Sequence, residues 1–300
     1  NTFSRILIVG GQQVSDAEVL SVLDQLSRAA GVPVAADIIS NLPNPEFILH
    51  SDLFLGQAPD HLKKTLQPDL LITFGKSLVS KNLKLFLRRY QAKVHWHVQP
   101  AGIAADTYKN VTDVFHCEPL EFFRTLVFLQ SPDKFQHQKQ KNFKDLWMIE
   151  ERRVSRIVKG FENAELAELD VVKAVLENLP PDTNLHLANS MSVRYANFVG
   201  LPNEKTRVRV FSNRGTSGID GCTSTAVGHA LSGPGLNLLI TGDVAFFYDR
   251  NAFWHNYPIP NLRVLLLNNH GGLIFNMIDG PASQPEAEEY FITRQRLDAT

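Results

Sequence analysis

Ile6-Leu7-Ile8-Val9-Gly10-Gly11 is a β-branched apolar run that stops at two glycines. Ser15-x-x-Glu18 then stands as a capping box ahead of Val19, Val22, Leu23 and Leu26. A continuous apolar run, a turn and a helical apolar period read as strand, turn and helix. The rhythm recurs outward from this stretch. Val32 to Ala35 is a second short strand, and Leu70-Leu71-Ile72-Thr73-Phe74-Gly75 precedes a helix through Leu83, Phe86 and Leu87. Lys93 to Val98 and Val111 to Phe115 are further strands, the last followed by a helix over Leu120 to Leu129. Strands alternating with helices imply a parallel sheet covered on both faces.

From Ser131 the texture turns polar and rich in Lys and Gln through His137 to Lys141, which reads as a linker over 131–162. The next patterned helix carries Leu166, Leu169, Val172, Val175, Leu176 and Leu179. It is followed by strands at Leu185 to Ala188, Val208 to Phe211, Leu236 to Thr241 and Arg263 to Leu267, with helices between them. The expected fold class is therefore α/β, two doubly wound parallel-sheet domains over 1–130 and 163–300. A length of 300 residues agrees with two cores rather than one.

Composition excludes several classes. Apolar residues at 44% and charged residues at 20% rule out a disordered or fibrous chain. A formal charge of −1 leaves no global basic field for nucleic acid. The longest apolar runs fall far short of the roughly 20 residues of a membrane helix, so no membrane span is expected. Cys117 and Cys222 lie far apart and read as reduced, buried thiols in a reducing, cytoplasmic compartment rather than as a disulfide framework. Asn1 precedes the first strand with no initiator Met and no signal peptide, so the reading expects a piece excised from a longer protein.

The chemistry concentrates in the second half. Leu236 to Thr241 ends in Gly242-Asp243-Val244, and the next strand ends in Asn268-Asn269-His270-Gly271-Gly272. Both turns lie at carboxyl ends of strands, where open parallel sheets bind ligands. One carboxylate, one amide oxygen and a backbone carbonyl converging there suit a hard octahedral cation such as Mg²⁺ that also holds phosphate oxygens. Upstream, Ser212-Asn213-Arg214-Gly215-Thr216-Ser217-Gly218-Ile219-Asp220-Gly221 is a glycine-rich turn before a helix, a second place for an anion. Gly10-Gly11-Gln12-Gln13 lacks the third glycine of a dinucleotide fingerprint.

Gly242-Asp243-Val244 followed after a spacer by Asn268-Asn269 resembles the thiamine-diphosphate signature of Gly-Asp-Gly and Asn-Asn. Ser212 to Gly221, Asn189-Ser190-x-x-Val193-Arg194 and Tyr248-Asp249-x-Asn251-Ala252 are similar, within that superfamily, to the 2-succinyl-5-enolpyruvyl-6-hydroxy-3-cyclohexene-1-carboxylate synthases of menaquinone biosynthesis. The motif-level match covers about 185–280. The resemblance implies thiamine diphosphate held through Mg²⁺ or Mn²⁺, with Asp243, Asn269 and the Gly271 carbonyl as metal ligands. Ser217, Gly218, Ile219, Asp220, Gly242, Asp243, Val244 and Ile274 would line the cofactor, Ile219 beneath its bend. Val244 departs from the superfamily's third glycine, at a position that is not the carboxylate.

The same resemblance places Asn189, Ser190, Arg194, Arg214 and Phe275 on the substrate side. Two guanidinium forks suit the dicarboxylates 2-oxoglutarate and isochorismate. The implied reaction decarboxylates 2-oxoglutarate and adds the remaining four-carbon unit to isochorismate. It also implies a homo-oligomer and an activating glutamate in a separate amino-terminal domain with no counterpart in this sequence. The chain alone is therefore expected to be inactive, with its diphosphate domain cut short at the carboxyl end. Two alternatives stand beside this reading. One is another thiamine-diphosphate decarboxylase or carboligase; the other is a non-catalytic module binding a nucleotide or regulatory ligand in the first domain's strand-end crevice.

Overall fold

A computed structural model describes residues 3–129, 134–202, 207–278 and 280–299. The chain divides into two units, Asn1–Glu162 with Asn197–Thr206, and Asn163–Ala196 with Arg207–Thr300. Each is built on a purely parallel sheet flanked by helices, the α/β class expected from the strand–helix rhythm.

In the first unit, β1 (Ile6–Gly10), β2 (Val34–Ala36), β3 (Leu70–Phe74), β4 (Val94–Gln99) and β5 (Asp113–His116) form a sheet of order β2-β1-β3-β4-β5. All five residues of β3 are buried, as a central strand covered on both faces requires. Helices α1 (Ala17–Ala29), α2 (Ser51–Gln57), α3 (Asp60–Leu66), α4 (Lys81–Arg89) and α5 (Pro119–Phe128) follow the chain. The cap of α1 is Asp16 rather than Ser15: its carboxylate accepts from the Glu18 and Val19 amides at 2.8 and 3.1 Å.

The stretch 131–162, expected as a linker, contains the longest helix of the chain, α6 (Lys134–Gly160); residues 131–133 lie outside the described residues. Phe143, Trp147, Met148 and Val154 are buried in the core of the first unit, with Trp147 edge-on to Phe54 and Phe86. Gln140 exchanges two hydrogen bonds with the backbone of Ile6, donating to its carbonyl at 2.9 Å and accepting from its amide at 2.7 Å. Lys144 Nζ donates to Glu46 at 2.9 Å and to the Ser27 carbonyl at 3.1 Å. The Glu151 carboxylate accepts from the Leu49 and His50 amides and pairs with His50 Nδ1 at 2.6 Å.

In the second unit, β6 (Asn184–Leu187), β7 (Arg209–Phe211), β8 (Asn237–Gly242) and β9 (Leu262–Leu267) form a sheet of order β7-β6-β8-β9. Helix α7 (Glu168–Glu177) precedes them, and α8 (Met191–Val199, of which residues to Ala196 belong to this unit), α9 (Cys222–Ser232) and α10 (Asp243–Tyr248) follow β6, β7 and β8. Val172 and Leu176 of α7 and Ala226, Val227 and Ala230 of α9 are buried, a helical spacing that seats one face of each helix. Of the cysteines, Cys222 is buried as expected, while Cys117 is only half-buried; both are free.

Candidate metal and cofactor centre

The site is set by where the sheet reverses direction. From β6 the chain passes to β7 on one side, and β8 pairs on the other, so the crevice of this unit opens at the carboxyl ends of β6 and β8. Residues 189–190 follow β6 and residues 243–244 follow β8. Strands β8 and β9 are neighbours in parallel, with Gly242 opposite Leu267. Asp243 and Asn268-Asn269 therefore leave the same sheet edge side by side, strands lying about 4.8 Å apart.

Asp243 is the first residue of α10 and is 2% exposed. Its Oδ2 accepts from Gln295 Nε2 at 2.6 Å, and the same amide nitrogen donates to Asn268 Oδ1 at 3.2 Å. One side chain thus ties the loop after β8 to the loop after β9. The strand-end loop is pinned further by Gly272 N–H to the Ile292 carbonyl (2.7 Å) and Gln295 N–H to the His270 carbonyl (3.1 Å). Asn269 Nδ2 donates to Glu168 Oε1 at 2.9 Å. Asn269 Oδ1 is buried and has no hydrogen-bond partner among the described residues.

An orphaned buried carbonyl oxygen costs on the order of 1–3 kcal/mol unless something satisfies it. A cation at that oxygen would do so, and one carboxylate, one amide oxygen and one backbone carbonyl from these neighbouring loops are a hard-oxygen donor set. Gly242 adds a second observation. A Cβ there would meet nothing within 4 Å, so no protein neighbour requires the glycine; it leaves open space next to the carboxylate. The residues present fit a divalent cation. Among the described residues no group of three or more His, Cys, Asp or Glu offers an alternative metal site.

The glycine-rich turn is knitted to the same edge. Arg214 Nη1 donates to Asn189 Oδ1 at 2.5 Å, while Asn189 Nδ2 donates to the carbonyls of Asn213 (2.6 Å) and Gly218 (2.7 Å). Asn189, Arg214 and Gly218, expected in one site from separate motifs, are thus brought together. Ser190, Ser217 and His270 hold left-handed backbone at φ 74°, 59° and 63°, each in a strand-end loop; such conformations cost of order 1–3 kcal/mol and gather at binding sites. Ser217 and Asp220 are exposed, and Ile219 and Val244 are half-buried. Arg194 Nη1 donates at 2.6 Å to the carbonyl of Ser190, the residue just before its helix. Ile274 and Phe275 lie in the short turn Leu273–Met277 beyond the metal loop, with Phe275 packed on Phe291 at 5.6 Å.

Asp249, part of a quoted motif, has an internal duty. Its carboxylate accepts from the Ser224 amide at 2.7 Å and the Ser224 hydroxyl at 2.6 Å, capping the first turn of α9. That amide is consequently occupied, and the anion-binding capacity expected of this helix start is reduced by one donor. Sequence reasoning missed Glu168 and Gln295. Glu168 sits in the first turn of α7, where an acidic residue needs no further explanation, and Gln295 meets the loop only through tertiary folding.

Residues 3–187 match the family model described as the middle domain of thiamine pyrophosphate. Proteins named 2-succinyl-5-enolpyruvyl-6-hydroxy-3-cyclohexene-1-carboxylate synthase are similar over nearly the whole chain. That of Cytophaga hutchinsonii is 40% identical over 302 residues, covering 100% of this chain and 52% of the relative. That of Flavobacterium johnsoniae is 35% identical over 295 residues, 98% of this chain and 52% of the relative. That of Desulfotalea psychrophila is 36% identical over 288 residues, 96% and 50%. The chain spans about half the length of the curated relatives it matches. It belongs to the thiamine pyrophosphate enzyme middle-domain family, and its similarity to these synthases extends beyond that domain over nearly the whole chain.

Proposed function

We propose that this chain supplies the central and diphosphate-binding parts of a cytoplasmic, thiamine-diphosphate-dependent synthase. The enzyme decarboxylates 2-oxoglutarate and transfers the four-carbon remainder to isochorismate. The observation that carries the reading is the buried, unsatisfied Asn269 Oδ1 in the loop after β9, with Asp243 in the loop after the adjacent strand β8, in a chain resembling the named synthases throughout. Asp243, Asn269 and the Gly271 carbonyl would hold Mg²⁺ or Mn²⁺. Open space at Gly242 and the turn Ser217 to Asp220 would admit the diphosphate and the bent cofactor, with Ile219, Val244 and Ile274 as apolar lining. When bound, the cofactor supplies the carbon nucleophile and stores the electron pair released by decarboxylation.

The chain's own residues bind and orient the substrates. Arg214, held by Asn189, and Arg194, held against the carbonyl of Ser190, present cationic groups to the substrates' carboxylates. Phe275 forms an apolar wall. Fixing both partners at one sheet edge converts a bimolecular addition into an oriented one. The whole enzyme works as a homo-oligomer, and this chain alone turns over negligibly.

The test is a coupled assay with 2-oxoglutarate and isochorismate on the polypeptide completed to the length of its relatives. Asp243→Ala should abolish saturation by thiamine diphosphate, and Arg214→Ala should raise the KM for the acceptor about tenfold or more while cofactor saturation persists. Product formation unaffected by either change would overturn the proposal, as would synthase activity from the 300-residue chain by itself.

A further inference from the structure

We infer that Glu168 is a positioning residue for the metal: it fixes which end of the Asn269 amide faces the cation. This inference rests on the proposed metal site and deepens it. A carboxylate can only accept, so the contact from Asn269 to Glu168 Oε1 at 2.9 Å must be made by the NH₂ end of the amide. The oxygen is thereby turned the other way, and it is the buried atom left without a partner. Without Glu168 the amide could rotate by half a turn about its last bond. It would then present two N–H donors, which repel a cation.

Glu168 is placed for this task. It opens α7, yet it does not cap that helix: Asp170 Oδ2 accepts from the Ala167 amide at 2.9 Å and does so instead. The carboxylate also takes a hydrogen bond from the Tyr195 hydroxyl, and burial together with this negative neighbour pushes the Tyr195 phenol up to about 12. Tyr195 thus remains a neutral donor at all ordinary pH values and steadies Glu168 from α8. Three separate segments, α7, α8 and the loop after β9, meet at one carboxylate. Outer partners that orient a ligand in this way typically change metal affinity 10–100-fold when lost.

The experiment measures Mn²⁺ affinity from the free-ion electron paramagnetic resonance signal, in the presence of thiamine diphosphate, on the polypeptide completed to its relatives' length. Glu168→Ala should weaken Mn²⁺ about 10–100-fold. Glu168→Gln, whose carbonyl still accepts from Asn269 Nδ2, should stay within about threefold of the parent, a rescue that a merely charged role would not give. The melting midpoint without metal is measured alongside. Should Glu168→Ala fail to fold, Glu168→Asp, which withdraws the acceptor by one methylene, should weaken Mn²⁺ severalfold. Parent-like Mn²⁺ affinity in the alanine variant, or in the aspartate variant where the alanine one does not fold, overturns the inference while leaving the metal site standing. Absence of Mn²⁺ binding in the parent itself overturns the site and the inference together.

Discussion

The two sheets reverse direction in the same way, yet they treat the resulting crevice oppositely. In the first unit the turn-back lies between β1 and β3, and the loops beyond them hydrogen-bond to each other. Gly11 N–H donates to the Phe74 carbonyl, Lys76 N–H to the Gln12 carbonyl and Gln12 N–H to the Ser77 carbonyl, all at 2.8–3.0 Å. Gly11 and Gly75 permit this approach: a Cβ on Gly11 would stand 2.1 Å from the Lys76 carbonyl oxygen, and Gly75 holds φ +75°. Backbone pairs with backbone there. In the second unit side chains make the links: Asn189 after β6 meets Arg214 after β7, Gln295 ties the loops after β8 and β9, and Asn269 Oδ1 stays unsatisfied with Gly242 beside open space. The same strand-order reversal is thus closed differently, backbone to backbone in the first unit and through side chains in the second, although Gln13 Nε2 after β1 is also buried without a partner among the described residues.

The contrast can be broken most sharply at Asp243. Removing its carboxylate with Asp243→Ala should weaken joint binding of Mn²⁺ and thiamine diphosphate about a thousandfold, roughly 4 kcal/mol, read by isothermal calorimetry on the completed polypeptide. Undiminished heat would place the cation elsewhere.

Next in size is Gly11→Ala. The added methyl group meets a backbone oxygen that cannot move aside cheaply, so the first unit should lose about 3 kcal/mol in urea denaturation, toward the upper end for overpacking. A loss below about 1 kcal/mol would mean that the zipped crevice has slack.

A third difference is titratable. Burial holds His186 in the second unit and His95 in the first down to about 4. An unfolded histidine takes its proton near 6.5, so each contributes stability above that pH that is lost as pH falls toward 4. In the first unit Asp37 acts in the opposite sense. Its carboxyl, buried and pushed up to about 6, favours the folded form at low pH and loses that advantage as pH rises from about 4 to 6. Acidification from pH 7 to 4.5 should accordingly destabilise the second unit more, by about 2 kcal/mol, as followed by hydrogen exchange resolved by segment. His186→Gln should flatten that dependence; equal acid sensitivity in both units would refute the assignment.

The smallest effect sharpens the comparison from the other side. Gly242→Ala, at an ordinary φ of −84° and with no neighbour within 4 Å, should change the melting free energy by less than about 0.5 kcal/mol. It should nonetheless weaken thiamine diphosphate about tenfold, because the methyl group fills space reserved for the ligand. A marked loss of stability would show that the protein itself needs the glycine.

Much of this was legible in the residues. Continuous apolar runs such as Leu70 to Phe74 announced buried parallel strands, and Gly242-Asp243 with Asn268-Asn269 marked two loops that the register Gly242 opposite Leu267 then brought together. Helix α6 was not legible, for a physical reason. Its buried face interleaves Phe143, Trp147, Met148 and Val154 with Gln140, Lys144 and Glu151, whose polar ends find partners inside the fold. Buried polar residues satisfied by tertiary hydrogen bonds erase the apolar period on which a sequence reading depends. The same limit hid Glu168 and Gln295, since a hydrogen bond between residues 101 positions apart leaves no mark on local spacing.

The most direct measurement is a crystal of the completed polypeptide grown with Mn²⁺ and thiamine diphosphate, with the ion located by its anomalous scattering. One peak is expected, bonded, at about 2.2 Å as hard cations bind oxygen, to a carboxylate oxygen of Asp243, to Asn269 Oδ1 and to the Gly271 carbonyl. A peak bound elsewhere, or an Asn269 amide turned with its nitrogen toward the ion, would contradict the proposed site.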